Sequence, residues 1–225
     1  MRRFFLFCIL ALMCNSIFGQ WNVSSITDSH LLNTGILVRR YASDIKFIND
    51  KVVVSENLVI TILDKDILSG FRFFEILNDS LLNESIDSKI FDSEGKKIKN
   101  AKVDLFHEKN NGSLLKLVSS KDLSFPLTIE LEYKKVSIRI RGILNWNPVK
   151  DYNVSVQNAS LRLTVIDTSA ISYQSNKIPL NSSYVNEDGL FIFIWELADF
   201  RAIKKGNSNE LPLNELPSVK IMSKQ

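Results

Sequence analysis

Cysteine is nearly missing from this 225-residue chain: Cys8 and Cys14 are its two copies, and both lie within the first nineteen residues. The remainder of the chain carries no thiol, which excludes a disulfide framework and a cysteine nucleophile there and leaves stability to core packing. Histidine is as scarce, with His30 and His107. Neither has a serine elbow or a metal-binding partner at short spacing, so both read as surface or edge residues. The chain has no H-E-x-x-H, no Cys/His ligand cluster and no phosphate-binding glycine loop. Accordingly no cofactor and no metal site is expected. Internal repeats, low-complexity tracts and interdomain linkers are lacking too, which argues against a solenoid or a string of small domains.

Long hydrophobic runs are confined to Phe4–Met13, preceded by Arg2 and Arg3. A short basic segment, a ten-residue apolar stretch and a small residue at Gly19 describe a secretory signal peptide, too short to span a bilayer. Cleavage is expected after Gly19, leaving Gln20 as the new terminus of a secreted or periplasmic protein. A lipoprotein signal at Cys14 is the rival, and bulky Met13 beside it argues against it. Removing residues 1–19 takes away two arginines, so the formal charge falls from +3 to +1. A near-neutral chain has no overall electrostatic reason to seek nucleic acid or anionic lipid.

What the chain does have is alternation. In LTIELEYKKVSIRIR, Leu127, Ile129, Leu131 and Tyr133 share one phase, and Val136, Ile138 and Ile140 share the other. The residues predict a long strand interrupted at Lys134–Lys135 by a β-bulge or a passage between sheets. Ile36–Ile48 and Val52–Leu63, with Asn49 and Asp50 between them, read as a hairpin in which Leu58, Ile60 and Ile62 face one way and Val59 and Thr61 the other. FRFFEIL after Gly70 is another strand-like run. A turn at Asp92–Gly95 predicts a second hairpin, whose Lys96, Lys97, Lys99 and Lys102 read as a solvated edge.

Further on, Val154 and Val156 alternate in one phase and Ala159, Leu161, Leu163 and Val165 in the other, a second slip. LFIFIWEL comes after the turn Asn186–Gly189, is apolar on both faces and is expected to be a central strand covered on both sides. Val219–Met222 closes the chain with a short strand. The pattern predicts an all-β fold: a β-sandwich of long, bent, mainly antiparallel strands with at most short helices. A lead-in over residues 20–35 precedes a β-sandwich domain over 36–222.

Candidate chemistry is sparse. Glu130 and Glu132 fall on one face of a strand, an arrangement that suits an exposed acidic face paired by opposing lysines better than the two sides of a hydrolytic cleft. Trp195 stands in the most apolar strand and reads as core. Trp146, between Asn145, Asn147 and Pro148 in a corner, reads as nearer the surface.

Several stretches taken in order, DSKIFDSEGKKIKNAKV, FPLTIELEYKKV, ILNWNPVKDYNV with ASLRLTV, FIFIWELADFRAIKK and LPSVKI, resemble the domain of unknown function found N-terminal to transglutaminase-like domains in secreted and envelope proteins of Gram-negative bacteria. The shared features are a D-x-x-G-K turn (Asp92, Gly95, Lys96), a proline-led strand ending in E-Y (Pro126, Glu132, Tyr133), Trp146, W-E-L followed by A-I (Trp195, Glu196, Leu197, Ala202, Ile203) and a closing L-P-x-V. They span Ile36 to Ile221.

The resemblance implies an accessory domain without an activity of its own. No position here matches the Cys, His and Asp of the transglutaminase-like core, so the chain is expected to be either a stand-alone version or a fragment whose catalytic part is missing or separately encoded. LPLNELPSVKI would enter that core in the usual arrangement, which makes Leu211, Pro212 and Pro217, with Trp146, the expected surface or interdomain contacts. Three functions stay open: a non-catalytic module that packs against or recruits substrate for a transglutaminase- or protease-like partner; a stand-alone binder of carbohydrate or envelope polymer, using Trp146; and an enzyme, for which the residue inventory is poor. No stable membrane insertion is expected after signal cleavage.

The mass of the exported protein is expected to be that of a chain starting at Gln20 without lipid; a diacylated Cys14 would contradict this reading.

Overall fold

The structure, a computed structural model, describes residues 21–48, 51–65, 81–108, 112–119, 123–137, 143–149, 151–203 and 216–223. The expected signal peptide, the FRFFEIL run, Leu211 and Pro212 lie outside these residues. The fold is all-β with short helical turns. Twelve strands are described: β1 (Ile36–Ile48), β2 (Lys51–Ile62), β3 (Leu81–Phe91), β4 (Ala101–Glu108), β5 (Gly112–Ser119), β6 (Leu127–Ser137), β7 (Ile143–Trp146), β8 (Val154–Val165), β9 (Ile171–Asn176), β10 (Leu180–Val185), β11 (Phe191–Phe200) and β12 (Ser218–Ser223). A 3-10 turn (Val23–Ser25) and one α-helical turn, α1 (Asp28–Leu31), precede them. Among the described residues no helix is long and apolar enough to cross a membrane.

Seven strands form one sheet in the order β10-β11-β8-β1-β2-β6-β3, and β7-β12-β9 form a second. All neighbouring pairs are antiparallel except β1 and β8, which run parallel. The inner faces of the two sheets meet in one apolar core. Ile36, Val38, Ile60, Ile129, Leu161 and Trp195 come from the large sheet, and Trp146, Ile171, Val219 and Ile221 from the small one. Ridged, β-branched side chains suit such a pleated interface.

The β1–β2 hairpin and the two faces of β2 match the expectation, as Leu58, Ile60 and Ile62 join this core while Val59 and Thr61 are buried on the opposite face. The Asp92–Gly95 turn also forms, with Gly95 at φ +80°, but only the bridge Phe91–Lys97 continues it as a hairpin. β4 then pairs with β5 in a separate ribbon. Lys96, Lys97, Lys99 and Lys102 are exposed, as expected for an edge. β11 is covered on both faces at Ile192 and Trp195, yet it is penultimate in the sheet, because the uncharged β10 adds outside it.

Two expectations are corrected. No bulge occurs at Lys134–Lys135, for β6 pairs with β2 without a shift from Leu127 to Ser137. Leu127, Ile129, Leu131, Tyr133 and Lys135 all take buried positions on alternate residues, and Val136 is half-buried. The geometric phase does not change as far as Ser137, and Ile138 and Ile140 lie outside the described residues; the inner face itself becomes polar at this end, where Ser43 and Glu56 also stand. A long aliphatic stem lets a lysine occupy such a place.

The second correction is Trp146, which is 2% exposed. Its strand pairs with β12, Trp146 opposite Val219, and its ring lies 6.0 Å from that of Tyr41. Asparagine and proline neighbours mark the corner, but the pleat turns the indole inward. Pro217 is likewise buried, beside Leu216. Neither residue can offer a surface contact.

The indole N–H groups of Trp146 and Trp195 have no hydrogen-bond partner among the described residues, so their contribution is packing. Trp146→Ala and Trp195→Ala are each expected to cost about 3–5 kcal/mol. Chemical denaturation checks this: the two midpoints should fall together, and a Trp146→Ala variant as stable as the parent would refute the burial.

Candidate functional site

The candidate functional surface is the outer face of the seven-stranded sheet, the side turned away from the small sheet. Its organisation starts from a slip in alternation. In β1 the inner residues Ile36 and Val38 are followed by Tyr41 and Ile45, with a bulge against β2 between Val38 and Arg40. In a regular strand Arg39 and Arg40 would point to opposite faces, whereas a bulge brings neighbours to the same one. Both guanidinium groups lie over the ring of Trp21, at 5.3 and 5.6 Å from its centre. Cation–π attraction of this kind contributes about 0.5–2 kcal/mol, more where water is excluded.

Trp21 is held from its edge as well. Its indole N–H donates to Glu130 Oε2 at 3.1 Å, and Lys89 Nζ donates to Glu130 Oε1 at 3.3 Å. The Glu130 hydrogen bond and charge raise the pKa of Lys89. The expected pairing of an acidic strand face by an opposing lysine is therefore seen at Glu130, whose ladder partner is Lys89. Arg39 donates to the Asn22 carbonyl at 3.2 Å and to Ser25 Oγ at 2.7 Å. Its burial lowers the guanidinium pKa.

Residues 21–35 thus lie as a strap over one half of the outer face, where Leu37, Val59, Thr61, Thr128 and Ser155 are fully buried. The polar groups beneath it are satisfied. The Thr61 and Thr128 hydroxyls bond each other at 2.8 Å, and Ser155 Oγ donates to the His30 carbonyl at 2.9 Å. His30, expected at the surface, is instead 7% exposed on the inward side of this strap, with Nδ1 2.9 Å from Thr27 Oγ1 and Nε2 3.6 Å from Asp199 Oδ1. The side chain of His107 lies outside what the structure describes.

The other half of the outer face is open and forms a trough enclosing about 690 Å³. Ladder pairing sets its residues in two rows. Ser160, Ala42, Asn57, Glu132 and Asp87 follow one another across five strands, and so do Arg162, Asp44, Ser55, Lys134 and Ser85. The floor is small and polar. Toward the strap, Arg40 donates to Asn57 Oδ1 through Nε at 3.0 Å and Nη2 at 2.8 Å. Glu132 is exposed at the trough, whereas Glu130 accepts from Trp21 and Lys89.

Chemically, the described residues contain no group of three or more His, Cys, Asp or Glu positions suited to a metal. What the trough supplies is hydrogen-bonding groups and separated charges. Sequence reasoning missed this site, since Ser, Asn and single charges at alternate positions look like any solvated strand face. Trp21 carries no local signal of its role either, because it stands beside the expected cleavage site in a polar lead-in.

On the inner face, Tyr41 donates to Glu56 Oε1 at 2.6 Å and Ser43 to the same oxygen at 3.2 Å. Burial, the Glu56 charge and this hydrogen bond push the Tyr41 hydroxyl well above its ordinary pKa.

No protein-family model matches the sequence, and a search of curated proteins finds no match. Among solved structures, a crystal structure from Parabacteroides distasonis ATCC 8503 described as a "putative protease" superposes with a TM-score of 0.60 at 11% identity. The match covers 83% of this chain and 40% of that one, so this chain spans well under half of that protein's length. At such identity the likeness is one of fold.

A tyrosine whose folded pKa is raised stabilises the protein fully below the unfolded value of about 10, and this is lost as pH rises beyond it. The unfolding free energy is expected to fall above pH about 10, and Tyr41→Phe should remove part of that fall. Denaturant midpoints of both proteins between neutral and alkaline pH measure it, and identical slopes would contradict the assignment.

Proposed function

We propose that this chain is a non-catalytic secreted or periplasmic β-sandwich module that packs against, or recruits substrate for, a transglutaminase- or protease-like domain. The observation that carries this reading is the coverage: the sandwich corresponds to less than half of a longer protein described as a "putative protease". It has the proportions of one part of such a protein.

The motif residues that carry the family resemblance add support, because their positions are structural. Trp146, Trp195 and Val219 are 0–2% exposed, and Tyr133 and Leu216 are 5% and 7% exposed. In the D-x-x-G-K turn, Asp92 Oδ1 accepts from the backbone N–H of Glu94 and of Lys96, while Gly95 takes the left-handed φ that other residues adopt at a cost. Residues that hold a scaffold together are what an accessory domain shares with its relatives. Both cysteines precede the expected cleavage site, so a thiol mechanism has no residue to use.

The stand-alone carbohydrate-binding reading needs an exposed aromatic platform. Trp146, its candidate, is core, and the ring of Trp21 is overlain by two arginines. That reading has lost its main support.

Purified residues 20–225, incubated with labelled casein for proteolysis and with casein plus a fluorescent amine donor for cross-linking, are expected to give no turnover above a protein-free blank. Turnover of either substrate by the isolated chain would overturn the proposal.

A further inference from the structure

We propose that the outer-face trough is a binding site for an extended polypeptide segment that carries a cationic side chain and an anionic side chain about five residues apart. It rests on the module reading in one respect only, that the bound segment is the recruited substrate.

The charges of the trough are separated in space. Arg162 stands on β8 at one end, and Glu132 and Asp87 stand on β6 and β3 at the other. Three to four strand spacings of about 4.8 Å put them about 14–19 Å apart, the length of five extended residues at about 3.3 Å each.

Counting near neighbours, each end keeps an excess of one sign of charge. Asp44 is the ladder neighbour of Arg162, and its Oδ2 pairs with Lys46 Nζ at 3.1 Å while Oδ1 has no hydrogen-bond partner among the described residues. Arg162 makes no hydrogen bond or ion pair with another described residue. A planar guanidinium left exposed in this way suits a carboxylate, which it can grip with two N–H groups. At the far end Asp87 and Glu132 are direct ladder partners on the same face. Like charges placed opposite one another destabilise a sheet. Lys89 is hydrogen-bonded to Glu130 one row away and is also in the field of Glu132 and Asp87, and Lys134 stands two residues along β6 on the same face, so three carboxylates face two ammonium groups. An incoming lysine or arginine would relieve the repulsion.

Between the ends the floor is Ala42, Ser55, Asn57 and Ser160, small groups that leave room for a backbone and bond its amides. The aromatic residue beside this floor, Tyr133, is 5% exposed and alternates to the inner face with Leu131, which disfavours a sugar ring seeking a stacking surface. The acidic end disfavours nucleic acid. An extended peptide with opposite charges meets the floor and both ends at once.

The test uses the intact chain 20–225 and fluorescence anisotropy with labelled serine/glycine peptides of about six residues. One has lysine and glutamate near opposite ends, one has two lysines, and one is neutral. Saturable binding of the first is expected, weaker at about 200 mM than at about 20 mM salt because exposed charges are screened. Arg162→Glu should weaken it about 3- to 5-fold and strengthen the two-lysine peptide by a similar factor. Glu132→Lys should weaken both lysine-bearing peptides.

Both side chains are exposed, so unchanged circular dichroism and melting will certify the fold. The proposal is overturned if the neutral peptide binds as well as the charged one, if neither variant changes affinity, or if soluble envelope glycan fragments bind while all peptides fail. The outcomes are separable from the module reading: turnover by the isolated chain defeats that reading and leaves the trough binding intact, whereas failed binding without turnover defeats the trough alone.

Discussion

A crease in the large sheet governs this molecule. Strand alternation slips by one residue at one level in three adjacent strands: at Arg39–Arg40 in β1, at Gln157–Asn158 in β8 and at Ala198–Asp199 in β11. Because side chains alternate with a period of two, a slip in one strand alone would turn its apolar residues out of the core from that point on. Made together, the slips keep Val38, Val156 and Phe200 facing inward on one side of the line and Tyr41, Ala159 and Leu197 on the other. Asp199 accommodates its part of the line with a φ of +53°. β2 does not slip, so the mismatch is absorbed as the bulge between it and β1.

The division of the outer face is a consequence of this crease. On one side of it Leu37, Val59 and Ser155 need cover, and the strap of residues 21–35 supplies it. The bulge turns two consecutive arginines onto one face, where Trp21 fastens the strap. On the other side the strands carry short polar residues that do not require burial, and the face stays open as the trough. A site built from strand residues over a close-packed core is held rigidly, so a ligand finds its contacts already arranged and less ordering opposes binding.

This arrangement separates the residues that hold the sandwich together from those that face outward. The tryptophans, the L-P-x-V end and the glycine turn serve the sandwich. Binding properties are set by outward residues such as Arg162 and Glu132, which can change without disturbing the core and so can differ between proteins that share this frame.

The amino-acid sequence by itself determined the elements whose signal is local: the β1–β2 hairpin with its two faces, the turns at Asp92–Gly95 and Asn186–Gly189, the slip in β8, the apolar character of β11 and the all-β class. Alternation and turn chemistry are properties of a few neighbouring residues, so they can be read one segment at a time. Tertiary structure decided everything that depended on which face met what. Lys134–Lys135 mimicked a phase change because the inner face turns polar there, and the composition of the partner strands was needed to see it. Trp146 looked solvated by its neighbours in sequence, yet its burial depends on β12, more than seventy residues away. The trough was invisible for the same reason: its ten residues come in twos from five strands, and only the register of the ladders makes them a site.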